Sequence, residues 1–284
     1  MRSVLLSCAL AVTLGLPAQQ TTVKPFQPSP GATVAQDLGV CNVKIEYSRP
    51  GVKGRRIWGG LVPYGEVWRT GANTATLITF SDPVKIAGKD LAAGTYAFFA
   101  IPGPKTWTLI FSRNTKQWGS YAYTTAEDAL RVEATPAALP GDQEYLLYTI
   151  QVKAPDALRV DLSWEKLTVG FDVALDTAGI YWAYLEKTLA GAGPAEGTPF
   201  AQAARYCLNS GTHLDQGMIW IDRSIQAKAT YANLEIKARL LRKAGKTPEA
   251  LTFLQKAMDQ AVAAKTPKEY LDGLEKAKAE WSAK

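Results

Sequence analysis

The feature that most restricts the fold is a long succession of short β-type runs broken by turn residues. Val43, Ile45 and Tyr47 alternate with Lys44 and Glu46, the period-two pattern of a strand with one buried face. The run ends at the Arg49-Pro50-Gly51 turn. Thr74–Ser81 is rich in β-branched residues, Val84–Ile86 follows, and Thr95–Ile101 and Thr106–Ser112 flank a Pro102–Lys105 turn as a hairpin. After a polar stretch at Thr124–Ala129 that predicts one helical turn, strands resume at Leu130–Ala134, Tyr145–Val152, Leu158–Trp164 and Val169–Val173. No helical stretch of crossover length separates these runs. An antiparallel sandwich or barrel is therefore expected, and a doubly wound α/β sheet is excluded.

From about Ala174 the texture becomes alanine-rich with helical periodicity. Ile180, Tyr181, Tyr184 and Leu185 line one helix face, and Gly191–Gly197 breaks the chain. Gly217, Trp220, Ile221, Ser224 and Ile225 recur 33 residues later as Ala250, Phe253, Leu254, Ala257 and Met258, with Gly211 and Gly245 in matching turns. That offset and its small–large–large–small order fit two degenerate tetratricopeptide (TPR)-type hairpins, the second over 231–263, capped by a helix at Pro267–Trp281. A plain helical bundle is the alternative.

The two ends and the charge bound the setting. Met1-Arg2, the apolar run Val4–Leu16 and the small residues at Pro17-Ala18 predict a cleaved secretory signal over residues 1–18. The apolar run is too short to span a membrane. A polar, proline-rich extended linker is expected over 19–36. Export leaves Cys41 and Cys207, one in a strand and one in a helix, which favours two separately buried thiols over a disulfide. The formal charge of +6 divides evenly, residues 37–170 and 171–284 each holding 15 basic against 13 acidic side chains. Without a basic stripe, nucleic acid is not an expected partner.

Candidate function concentrates between Arg49 and Asn73, RPGVKGRRIWGGLVPYGEVWRTGAN. Five cations lie there among Trp58, Tyr64 and Trp68, with Glu66 the single acid. The lone histidine, His213, stands in a helical turn, so a Ser-His-Asp or Cys-His arrangement in the β half and any multi-histidine metal site are ruled out. No nucleotide-binding glycine motif, CxxC pair or calcium loop is present, and no cofactor or metal is expected. Guanidinium forks beside indoles suit an anionic or polyhydroxyl ligand instead. Were Trp68–Asn73 a strand end, Arg69 and Asn73 would share one face and Trp68 would turn to the core.

The ordered motifs Ser48-Arg49-Pro50, Lys53-Gly54-Arg55, Val62-Pro63-Tyr64-Gly65, Trp68-Arg69-Thr70-Gly71-Ala72-Asn73, Gly94-Thr95-Tyr96, Ile101-Pro102-Gly103 and Gln117-Trp118-Gly119, with Asp128 and Arg131, resemble the DUF2911 family over about Gln36–Val169. The resemblance implies an exported bacterial protein, with a TPR-like helical tail often following. It assigns no activity.

The expected protein is thus an all-β antiparallel sandwich at 37–172 followed by an all-α helical-hairpin domain at 175–284, periplasmic or secreted. Its leading role is a non-catalytic binding or scaffolding module for a glycan or small anion. Arg49, Lys53, Arg55, Arg69 and Asn73 are the candidate polar contacts, and Trp58, Trp118 and Tyr123 the stacking surfaces. The helical repeats would offer a concave surface to a protein or peptide. The alternative is a cofactor-free glycan hydrolase using Glu66 and Asp128 as its carboxylate pair. A third arrangement would bury Arg69 against Glu66 or Asp128 with every tryptophan in the core.

Overall fold

The computed structural model describes residues 26–283. The expected signal segment and the start of the linker lie outside them. The linker expectation is corrected at its far end, because the first strand, β1 (Gly31–Leu38), begins six residues before Asp37. It forms a hairpin with β2 (Cys41–Ser48) through Gly39, whose φ of 65° is left-handed. β1 shows no run of buried residues. Ala32, Val34 and Leu38 alternate along it and pack half-buried against the core, so one partly buried face and backbone pairing with β2 set it together.

β3 (Thr76–Phe80), β6 (Gly94–Ile101), β7 (Trp107–Ser112) and β8 (Asp128–Ala134) complete a six-stranded antiparallel sheet in the order β1-β2-β3-β6-β7-β8. β4 (Val84–Ile86), β5 (Lys89–Leu91), β9 (Ala137–Ala154) and β10 (Ala157–Leu175) form a second sheet in the order β5-β4-β10-β9. β10 doubles back at Glu165, whose φ is 53°. Ser163 bonds Thr168 at 3.0 Å, Arg159 reaches Asp172 at 3.3 Å, and the Leu175 N–H donates to Asp156 O at 2.9 Å. The tight turn shifts the alternation by one residue. Leu158, Val160, Leu162 and Trp164 are buried before it and Val169, Phe171, Val173 and Leu175 after it, so both arms face the core.

The two sheets enclose that core. Cys41, Val43, Ile45 and Tyr47 of β2 meet Leu158–Trp164 of β10 within one apolar cluster. The polar Thr124–Ala129 stretch forms a single 3-10 turn at Thr125–Glu127.

Among the described residues six α-helices follow: α1 (Thr177–Ala190), α2 (Gly197–Ser210), α3 (Leu214–Ala227), α4 (Tyr231–Lys243), α5 (Thr247–Ala263) and α6 (Lys268–Ser282). Asp176 caps α1 by accepting from the Gly179 N–H at 2.9 Å, and Thr230 with Asn233 forms a capping box on α4. Gly211 and Gly245, with φ of 72° and 77°, turn α2 into α3 and α4 into α5. Gly217, Trp220, Ile221 and Ser224 of α3 and Ala250, Leu254 and Ala257 of α5 are buried, as the repeat alignment expects. Gly217 is small for a reason: a Cβ there would stand 2.7 Å from Cys207 Cβ on α2. Both Cys41 and Cys207 are buried and form no disulfide among the described residues. Among the described residues no helix is long and apolar enough to cross a membrane.

Candidate functional site

The Arg49–Asn73 segment is mostly turns and isolated bridges. Trp68 is stitched to β6 by reciprocal backbone bonds with Ala100, both 2.8 Å. Beyond it the expected strand end does not form, because Thr70 and Asn73 adopt left-handed φ of 51° and 60°. Buried polar contacts hold this bend. The Thr70 hydroxyl donates to Phe98 O at 2.8 Å, while Thr70 O accepts from Tyr148 Oη at 3.0 Å and Thr76 Oγ1 at 3.1 Å. A strained residue persists only where its surroundings over-determine it, and here three interior groups do so.

Inward of the bend stands a group of indoles. Trp58 meets Trp107 edge-on with centroids 4.8 Å apart, and Trp68 stacks on Trp164 at 5.9 Å. Trp58 is only 7% exposed, so it is a core plug and not the stacking surface expected from its loop position. Its Nε1 and that of Trp107 are buried with no hydrogen-bond partner among the described residues.

Outward of the bend lies a cleft of about 330 Å³. Arg55, Arg69, Asn73 and Trp118, four of the side chains singled out by sequence, line it together with Trp68 and Trp164. Asn73 is held by its Nδ2, which donates to Ser29 O at 3.2 Å and to Ser48 Oγ at 3.1 Å. Arg55 is clamped to the chain below it, Nε donating to Val52 O at 3.0 Å and Nη2 to Gly51 O at 2.6 Å. Trp118 bridges to Thr74 and is 61% exposed, which leaves a ring face at the rim. Gly71 lets the backbone approach β2 and β3: a Cβ there would stand 2.9 Å from Thr76 Oγ1 and 3.2 Å from Ser48 O.

Arg69 is the anomaly. It is half-buried, its Nε is buried without a hydrogen-bond partner, and it joins no ion pair among the described residues. Burial pushes its ionisation below the ordinary arginine range, with the Tyr121 phenol nearby opposing that shift. The guanidinium remains charged at any physiological pH. The arrangement in which Arg69 is neutralised by Glu66 or Asp128 is therefore not the one adopted.

The other expected contacts are placed elsewhere. Arg49 donates from Nε to Leu146 O at 2.9 Å, tying the segment to β9. Lys53 is exposed, and its backbone N–H donates to Glu144 Oε1 at 3.0 Å. Tyr123 packs its ring on Phe99 at 5.3 Å, and its hydroxyl donates to Asp128 Oδ2 at 2.9 Å. Asp128 also pairs with Arg131 Nε at 2.5 Å, so this trio anchors the Trp118–Asp128 loop and lies outside the cleft. Glu66 sits beside Gly65, whose N–H donates to Pro102 O. Asp128 pairs across Ser112 to Ala97. The register thus offsets the backbones of the two acids by about 16 Å along β6. Among the described residues no carboxylate lines the cleft.

Three lining elements were missed by sequence reasoning. Trp164 arrives from β10, and Pro28 and Ser29 from the segment before β1. None carries a local signal: Trp164 comes from the facing sheet, and Pro28 and Ser29 precede the strand that pairs with β2.

A β-sandwich with a cation-bearing cleft at one edge, followed by helical hairpins, defines the class of protein. A family model described as a protein of unknown function, DUF2911, matches residues 29–173, and the chain belongs to that family. No curated protein and no solved structure matches the chain.

Proposed function

We propose that this chain is a non-catalytic binding module whose cleft at Arg69 takes an anionic group carried on a polyhydroxyl or flat apolar body, in the periplasm or outside the cell. The observation that supports the reading is the buried, unpartnered Nε of Arg69. The Arg69 guanidinium lines the cleft with no acid paired to it among the described residues, and a carboxylate, sulfate or phosphate there supplies the missing countercharge. Asn73 is fixed by two bonds and Arg55 by two more, so little ordering remains to be done when a ligand arrives. The exposed Trp118 ring at the rim offers a stacking face for a sugar ring or another apolar body. With no carboxylate in the cleft, its groups are suited to hold a ligand and not to move protons. The helical half supplies a second surface, for a protein or peptide.

The test is thermal unfolding of wild-type and Arg69→Leu protein against uronic acids, peptidoglycan fragments, sulfated sugars and inorganic anions. A ligand at about 100 times its Kd stabilises the native state by about 2.7 kcal/mol. The expected result is such a shift for wild type and none for a normally stable variant. A wild type that no anion stabilises, or a variant that responds equally, overturns the reading.

A further inference from the structure

We infer that the face shared by α2, α4 and α6 is a docking groove for an acidic, extended peptide segment. This deepens the reading of the helical half as a protein-interaction surface and rests on it. A cleft of about 600 Å³ is lined by Arg205 and Asn209 of α2, Arg239, Arg242 and Lys243 of α4, and Trp281 of α6. A second cleft of about 340 Å³ shares Arg205 and continues between α2 and α4 past Gln202 and Lys228. Arg205 lines both, so the two adjoin along α2 as one trough.

The charge of this trough is one-sided. Its single acid among the described residues, Glu235, is buried and already satisfied: it pairs with Arg239 Nε at 2.7 Å and accepts from Tyr270 Oη at 2.6 Å. Arg205 and Lys243 are exposed and make no hydrogen bond or ion pair among the described residues, and Arg242 reaches only Thr247 Oγ1 at 3.2 Å. Residues 171–284 carry 15 basic and 13 acidic side chains, so this cation excess belongs to one face and not to the half as a whole. The basic face attracts a negatively charged partner and raises its rate of encounter.

The remaining groups specify a peptide. Gln202 and Asn209 are exposed, and their amides make no hydrogen bond within the described residues. A side-chain amide offers both a donor and an acceptor, which matches a peptide backbone. Trp281 and the buried Leu208 add an apolar wall for one side chain between acidic ones. Among the described residues a single indole, Trp281, lines the trough, at one end of it, so it lacks the serial stacking platforms of a nucleic-acid channel.

The experiment is fluorescence anisotropy with the folded chain and a short fluorescein-labelled peptide rich in Asp, Glu and Leu, beside the same peptide with Asn and Gln replacing the acids. A labelled single-stranded oligonucleotide is the third probe. The acidic peptide is expected to bind at least about tenfold more tightly than its neutral counterpart and than the oligonucleotide, with the difference shrinking as salt rises. Arg205→Glu combined with Lys243→Glu is expected to remove at least about tenfold of that affinity while thermal unfolding stays unchanged. Should the double variant lose stability, Arg205→Gln alone carries the test. Equal binding of acidic and neutral peptides overturns the acidic specificity but leaves a peptide surface standing. Tighter binding of the oligonucleotide overturns the inference, and no binding by any peptide overturns both it and the interaction reading.

Discussion

The same short stretch, Arg49–Asn73, faces two ways, and its two sides differ in what each residue is for. On the inward side Ile57, Trp58, Val62 and Trp68 are buried in the core between the sheets, and Thr70 is fully buried with its hydroxyl satisfied. On the outward side Arg55, Arg69 and Asn73 line a cleft, and the most buried donor among them has no partner. Core residues gain by removing apolar surface from water, about 25 cal/mol per Å². A half-buried, uncompensated guanidinium gains nothing comparable in the free protein. The contrast teaches that the inward side builds stability while the outward side draws on it, which is the arrangement expected of a site held ready for a ligand.

Substitutions separate the two sides, and the largest effect belongs to the core. Trp58→Ala removes an indole packed on Trp68, Trp107 and Trp164 and is expected to cost about 3–5 kcal/mol in urea unfolding. A cost under about 1 kcal/mol would erase the distinction. Gly71→Ala, at the seam between the sides, drives a methyl toward Thr76 Oγ1 and is expected to cost about 1–3 kcal/mol.

A pH titration probes the inward side without mutation. Burial, aided by Asp82, pushes the Cys41 thiol up to about 11. Its folded value lies above the unfolded one of about 8.5, so the neutral thiol's contribution to stability is complete below that pH and is lost as pH rises through 11. At neutral pH thiol reagents should label Cys41 only in the unfolded chain, and rapid labelling of native protein would contradict the burial.

The outward side should scarcely register in stability. Arg69→Leu is expected to stay within about 0.5 kcal/mol of wild type or to exceed it, since an unpaired cation gives way to an apolar side chain. The same variant should lose anion binding. A loss of several kcal/mol instead would move Arg69 to the structural side of the comparison. Trp118→Ala has the smallest expected effect, leaving unfolding unchanged and weakening a ring-bearing ligand about threefold to tenfold.

Much of this was legible in the sequence. Alternation in β2, the two-arm pattern of β10 and the 33-residue recurrence in the helices each report a periodicity that local packing enforces. Arg55, Arg69, Asn73 and Trp118 could be singled out because cations, indoles and turn residues crowd together around them. Composition could not say which indole faces inward. Trp58 and Trp118 look alike as loop tryptophans, yet one is 7% exposed and the other 61%.

The sequence by itself determined the order of a β half and a helical half, the thiols in separate elements and the family motif, because these depend on residues near one another in the chain. Tertiary structure decided the rest. It started β1 at Gly31 by pairing it with β2, brought Trp164 and Ser29 to the cleft, and set Glu66 beside the Pro102 end of β6 while Asp128 lies two strands over, level with Ala97. It also left Arg69 without an acid, since whether a charge finds its partner depends on the register of strands far apart in sequence.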